Sequence, residues 1–198
     1  MNSPVNHAEK ILSALDERLN TVVELTLYGR AALSLGFPSS PVEMALSRDV
    51  DAVFWVGQAQ ELANTTNFWE AVEGVNRFFA EQELYISHFF EETQVILRPQ
   101  WRQERVKIPG TWERLDLFRL GDVDLLLSKM MRDDPLDLRD ALFIARSAGM
   151  KKEAIELALK QAHVPNVPEI REQFQICQKK FLQKWKGENG RFGSGLNA

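Results

Sequence analysis

The chain of 198 residues has a single cysteine, Cys177, which excludes an internal disulfide and a multi-thiolate metal site. Its three histidines, His7, His88 and His163, are scattered, and none has a partner at metal-ligand spacing. His88 sits in the aromatic run Tyr85-Ile86-Ser87-His88-Phe89-Phe90 and reads as a packing residue. No apolar run approaches the eighteen or so residues of a membrane span. Met1 to Lys10 lacks the basic segment and apolar stretch of an export signal, so the cytoplasm is the expected location. There is no Gly-x-Ser-x-Gly elbow, P-loop or Gly-x-Gly-x-x-Gly turn, which leaves hydrolase, NTPase and dinucleotide readings without a starting residue. A basic excess is also missing: the net charge is -4, unlike that of a protein whose main task is coating nucleic acid. The exception is the part from Lys151 onward, where bases outnumber acids. A basic end suits a polynucleotide or an acidic partner protein, and a solvated helix face gives the same count.

What is present is the balance of an ordinary globular chain, 44% hydrophobic and 26% charged, enough to bury a core. Ile11, Leu12, Leu15 and Leu19 predict a first amphipathic helix. Val22 to Tyr28 reads as a strand running into a tight turn at Gly29, followed by a short helix from Arg30 to Leu35 that Gly36 and Pro38 end. Arg48 to Val56 predicts a second strand. Asn67 is the expected cap of a helix to Phe79 with an apolar stripe of Phe68, Ala71, Val72, Val75 and Phe79. Thr93 to Leu97 and Arg114 to Phe118 predict two more strands, and four helical segments follow from Asp122. The expected fold class is α/β (α+β), a small mixed sheet with flanking helices. The expected division is one domain over 1–150, a helical extension over 151–186 and a disordered tail over 187–198.

The chemistry concentrates in the second strand. Side chains two apart on a strand share a face, so Asp49 and Asp51 project together, with α-carbons about 7 Å apart. Paired carboxylates at the mouth of an apolar strand repel each other and resist burial unless a cation or basic partner joins them. Magnesium suits such a site, because it takes few protein carboxylates and leaves room for water and phosphate oxygens. Asp116, between Leu115 and Leu117, is the candidate for a third carboxylate on a neighbouring strand, which would complete a two-metal site. Gly29, between strand and helix, lets backbone approach a phosphate at a helix N-terminus, and Arg30 adds a positive charge there. Trp55, Trp69, Trp101 and Trp112 read as anchors; Trp101 and Trp112 flank a polar loop from which they would be able to stack on a base.

Leu27-Tyr28-Gly29-Arg30-Ala31-Ala32-Leu33, Arg48-Asp49-Val50-Asp51 and Asp124-Leu125-Leu126-Leu127-Ser128-Lys129, in this order, resemble the nucleotidyltransferase superfamily of the DNA polymerase β type. The resemblance is strongest to its small bacterial members, the abortive-infection type IV toxins and related uncharacterised families, and spans roughly Val22 to Ala148. It implies that Gly29 binds the triphosphate, that Asp49 and Asp51 hold magnesium, and that Lys129 contacts a nucleotide phosphate, with Asp137 and Asp140 matching the acidic residues after that lysine. It further implies an NTP substrate, an RNA or protein hydroxyl as acceptor, and an antitoxin as partner. One departure is visible: the family has Gly-Gly or Gly-Ser where this chain has Gly29-Arg30. The resemblance thus leaves two expectations, a magnesium-dependent transferase or a catalytically silent relative that binds a nucleotide or partner protein.

Overall fold

A computed structural model describes residues 6–192, with side chains through Trp185. The chain divides into two compact units. The first comprises the residues up to Val95 together with Gln100–Gly121; the second comprises Ile96–Pro99 and the chain from Asp122.

In the first unit, helix α1 (His7–Asp16) leads into strand β1 (Val23–Tyr28), helix α2 (Gly29–Gly36), the single turn α3 (Val42–Ala45) and strand β2 (Asp49–Phe54). Helices α4 (Gln58–Thr65) and α5 (Phe68–Phe78) precede strand β3 (Tyr85–Glu91), and the short β4 (Val106–Lys107) and β5 (Leu115–Arg119) complete the unit. The mixed sheet has the order β3-β2-β1-β5-β4. β1 runs antiparallel to β2 and parallel to β5, β2 is parallel to β3, and β4 is antiparallel to β5.

Alternation along the strands decides which face is covered. Val23, Leu25 and Leu27 of β1, Val50, Ala52 and Phe54 of β2, and Leu115 and Leu117 of β5 are all buried, as period-two patterning requires. Helices α1, α2 and α5 pack on the sheet and supply Ile11, Leu12, Leu15, Ala32, Leu33, Phe68 and Val75 to the core. The opposite parity carries Glu24, Thr26 and Tyr28 on β1 and Asp49 and Asp51 on β2. Arg105 is fixed on that face, its guanidinium 2.7 Å from Glu24 Oε1 and 2.9 Å from Thr26 Oγ1. Asp16, at the end of α1, accepts the backbone N–H groups of Glu113, Arg114 and Leu115 at 2.7–3.0 Å. That carboxylate ties the entrance of β5 to the first helix.

Several sequence expectations change. Thr93 to Leu97 is not a ladder strand: Glu92–Gln94 forms a 3-10 turn, and Leu97 makes an isolated bridge with His163. The strand at the β2 edge of the sheet is β3, the aromatic run. Asn67 occupies the N-cap position of α5 but makes no side-chain cap hydrogen bond; its side chain accepts from Asn20 N–H and donates to the Arg18 carbonyl, while Thr66 Oγ1 accepts from Phe68 N–H at 3.0 Å. Trp101 is buried, its indole N–H donating to Glu92 Oε2 at 2.7 Å, so it offers no face for base stacking.

The second unit is helical, with α6 (Asp122–Ser128), α7 (Pro135–Ser147), α8 (Lys152–Gln161) and α9 (Pro168–Phe192). The boundary therefore falls near Asp122 instead of Lys151, because α6 packs on α7 and α8, and α7 packs on α9. Phe174, Cys177, Phe181 and Trp185 form the buried stripe of α9, at the three- and four-residue spacing of one helix face. The backbone of α9 continues past the expected start of the tail at 187, and residues 193–198 of that tail lie outside the described residues.

Candidate functional site

The antiparallel register pairs Tyr28 with Asp51, so the exit of β1 and the entrance of β2 lie side by side. The next residue, Gly29, has φ +69° and opens α2. A β-carbon at this position would lie 3.3 Å from Asp51 Oδ2. Glycine suits this position on two counts, the left-handed backbone and the close approach of the carboxylate. The result is a helix N-terminus, with its N–H groups and positive dipole end, beside the Asp51 carboxylate.

Asp49 lies two residues before Asp51, on the same strand parity and exposed, and accepts a hydrogen bond from Ser47 Oγ at 2.7 Å. Asp51 is partly shielded. Its Oδ1 accepts from Ser87 Oγ at 2.8 Å and lies 3.1 Å from His88 Nδ1. Because an ionised carboxylate only accepts, Nδ1 is the protonated ring nitrogen in that contact. Both donors come from one irregularity in β3: Val50 pairs with Ile86, but Asp51 pairs with His88, so Ser87 is an extra residue. A bulge of this kind re-aims side chains, and here two successive residues face one carboxylate. The imidazole also stacks on Phe90 at 5.4 Å, and Phe90 meets Tyr28 edge-on at 5.8 Å. His88, read from sequence as a packing residue, is thus an exposed neighbour of the paired aspartates. The alternation in Tyr85-Ile86-Ser87-His88 hints at a strand, but the register shift that brings His88 to Asp51 leaves no mark in the sequence.

Asp116 does not join them. Leu115 and Leu117 are buried as expected, and Asp116 shares the parity of Glu24, its register partner on β1. Glu24, however, is four residues before Tyr28, the partner of Asp51. Asp116 is therefore about 13 Å away along the strands and two strand spacings, about 10 Å, across. Its carboxylate pairs with Lys107 at 2.7 Å instead. The residue level with Asp51 on this side lies one past the end of β5 and is Leu120, whose N–H donates to the Leu27 carbonyl. Strand order correctly makes β5 a neighbour of β1, but the register puts an apolar residue where the third carboxylate was expected.

Lys129 belongs to the second unit, just after α6. It is no surface lysine: 8% exposed, it donates to Asp137 Oδ1 at 3.1 Å and to Asp140 Oδ2 at 2.9 Å. Asp137 also takes Arg132 Nε at 2.5 Å. Asp137 and Asp140, three apart on α7, share a helix face, and that face closes on the lysine. Within the same unit, Asp124 is fully buried and accepts from Arg98 N–H at 2.8 Å and from its guanidinium at 2.7 and 3.3 Å. These groups form a buried ionic framework, with Lys129 held by carboxylates and not presented to a phosphate. Arg30 is half-buried in the first turn of α2.

Asp49 and Asp51 would supply the carboxylates for one divalent ion and not for a pair. Magnesium is commonly held by one or two carboxylates, with water and substrate phosphates filling the other positions, and Asp49 and Asp51 supply that number. Among the described residues, no group of three or more His, Cys, Asp or Glu is arranged to hold a metal ion. Comparisons with family models, curated proteins and solved structures found no match to the chain.

Proposed function

We propose that this chain is a nucleotidyltransferase-like domain that binds a magnesium-nucleoside triphosphate at the Gly29 turn and the Asp49/Asp51 pair, and transfers its nucleoside monophosphate to a hydroxyl of RNA or protein. The observation that carries the reading is the contact between Gly29 and Asp51, which sets a phosphate-binding helix N-terminus against a carboxylate suited to a divalent cation. Anion and cation sites that adjoin in this way match the two halves of a metal-bound triphosphate. The bound ion would neutralise charge developing on the phosphate oxygens. Asp49 and Asp51 would hold it, the α2 N–H groups would orient the phosphates, and the acceptor oxygen would attack the α-phosphorus in line as pyrophosphate leaves. A role as a toxin controlled by an antitoxin belongs to this proposal through the family resemblance.

A second reading, a silent relative that binds nucleotide or a partner protein without turnover, is favoured by one observation. Leu120, just past the end of β5 and level with Asp51, is apolar, and Asp116 is engaged elsewhere by Lys107.

Calorimetric titration of the four NTPs with magnesium into the wild type and Asp49→Ala/Asp51→Ala, followed by radiolabel transfer to bulk RNA and protein, separates the readings. Binding lost in the double variant, with label transferred, supports the transferase. Binding without transfer supports the silent relative, and absence of binding to any nucleotide overturns both nucleotide readings.

A further inference from the structure

The bulge in β3 gives Asp51 an asymmetric environment. Its two carboxylate oxygens have different neighbours: Oδ1 takes Ser87 Oγ at 2.8 Å and His88 Nδ1 at 3.1 Å, whereas Oδ2 faces the Gly29 turn. Without the register shift after Ile86, β3 would pair Ser87 alone with Asp51, and His88 would fall on the other parity. The bulge therefore brings a second donor onto the oxygen that the first already holds. The imidazole also stacks on Phe90.

We infer that Ser87 and His88 are positioning residues for Asp51, clamping Oδ1 so that Oδ2 is the oxygen presented to a divalent cation beside the phosphate turn. The inference rests on the proposed reading of Asp51 as a cation ligand and adds which oxygen binds and what holds it. A carboxylate free to rotate must lose that freedom when it ligates, whereas one clamped by two hydrogen bonds is already oriented. Partners that orient a ligating group in this way typically contribute about 10- to 100-fold to metal affinity. The clamp works by donation from Nδ1 and Oγ, so it requires hydrogen-bond donors at those two points and not an imidazole as such. Asparagine at position 88 can place an amide N–H close to where Nδ1 lies, while alanine removes the donor.

The test uses Mn2+ alone as a spectroscopic probe for the divalent ion, with the full chain. Electron paramagnetic resonance titration measures free Mn2+ for the wild type, Asp51→Asn, Ser87→Ala/His88→Ala and His88→Asn. Ser87 and His88 are exposed, and thermal denaturation of each variant verifies that the fold persists. The expected result is that the double alanine variant weakens Mn2+ binding by about 10- to 100-fold and that His88→Asn stays within about threefold of the wild type. Wild-type affinity in the double alanine variant, with binding still lost in Asp51→Asn, overturns the clamp and leaves the cation reading intact. Equal Mn2+ binding by the wild type and Asp51→Asn overturns the reading of Asp51 as a ligand, and the clamp with it. Weak binding in His88→Asn equal to that of the double alanine variant also overturns the clamp as a matter of hydrogen-bond donation.

Discussion

Gly29 and Asp51 are so close across the β1–β2 pair that a β-carbon on the first would lie 3.3 Å from Oδ2 of the second. This contact joins the strand exit, the helix N-terminus and the carboxylate pair into one local arrangement. It is made within the first unit from residues 22 positions apart in the chain.

Substituting Gly29 tests that arrangement directly. Gly29→Ala forces a side chain into a left-handed conformation, φ +69°, which costs about 1–2 kcal/mol, and sets a methyl group against the Asp51 carboxylate. The expected outcome is a lower urea midpoint by that amount, together with loss of magnesium-ATP binding in calorimetry. An unchanged midpoint would mean that the turn relaxes freely and that the close approach is not constrained.

Asp116 gives the contrasting case. Its partner Lys107 is well exposed, and pairs of that kind contribute about 1 kcal/mol or less. Asp116→Asn is expected to leave the urea midpoint within that margin and the magnesium dependence of nucleotide binding unchanged. A loss of binding comparable to that in Asp51→Asn would show that Asp116 acts at the site despite its register.

The comparison of Asp51 with Asp116 shows what was legible in the sequence. Periodicity located β1, β2, β5 and α5, while β3 and β4 went unread: the stripe of Phe68, Ala71, Val72 and Val75 forms α5, and the polar-to-apolar change across Asp49 to Phe54 forms β2. Local turn chemistry located Gly29. Register is set by pairing between segments far apart in the chain, and one strand's sequence does not carry it. For that reason Asp116 was placed on the right strand at the wrong level, and His88 was separated from Asp51 although a bulge joins them. Lys129 was legible as a lysine on a helical pattern, but its burial depends on α7 folding Asp137 and Asp140 over it.

Lys129 is expected to matter for stability. Lys129→Met leaves Asp140, fully buried, and Asp137, nearly so, without the ammonium group that balances them. Removing one partner of a buried ion pair typically costs about 3–5 kcal/mol. Arg132 continues to serve Asp137 after the substitution. Urea denaturation followed by circular dichroism is expected to show a loss of that size, and Lys129→Met/Asp140→Leu is expected to recover part of it. A neutral single substitution would indicate that water reaches the cluster.

Cys177 supplies a prediction with a definite sign in pH. It lies on the buried stripe of α9, its thiol directed to the Arg132 carbonyl at 3.3 Å. Burial first, and the Asp133 carboxylate second, push the thiol above its ordinary value near 9.0, since both disfavour the thiolate. At pH 8 the native protein should therefore react with iodoacetamide more slowly than the urea-unfolded chain, because burial and a smaller thiolate fraction both protect the sulfur. The linked effect on stability follows from the same sign. With the folded pKa raised, the contribution of the neutral thiol is fully present below pH 9 and is lost as pH rises through the folded value. The urea midpoint of the wild type should then fall more steeply above pH 9 than that of Cys177→Ala, and parallel curves for the two proteins would show that the thiol does not titrate differently in the folded state.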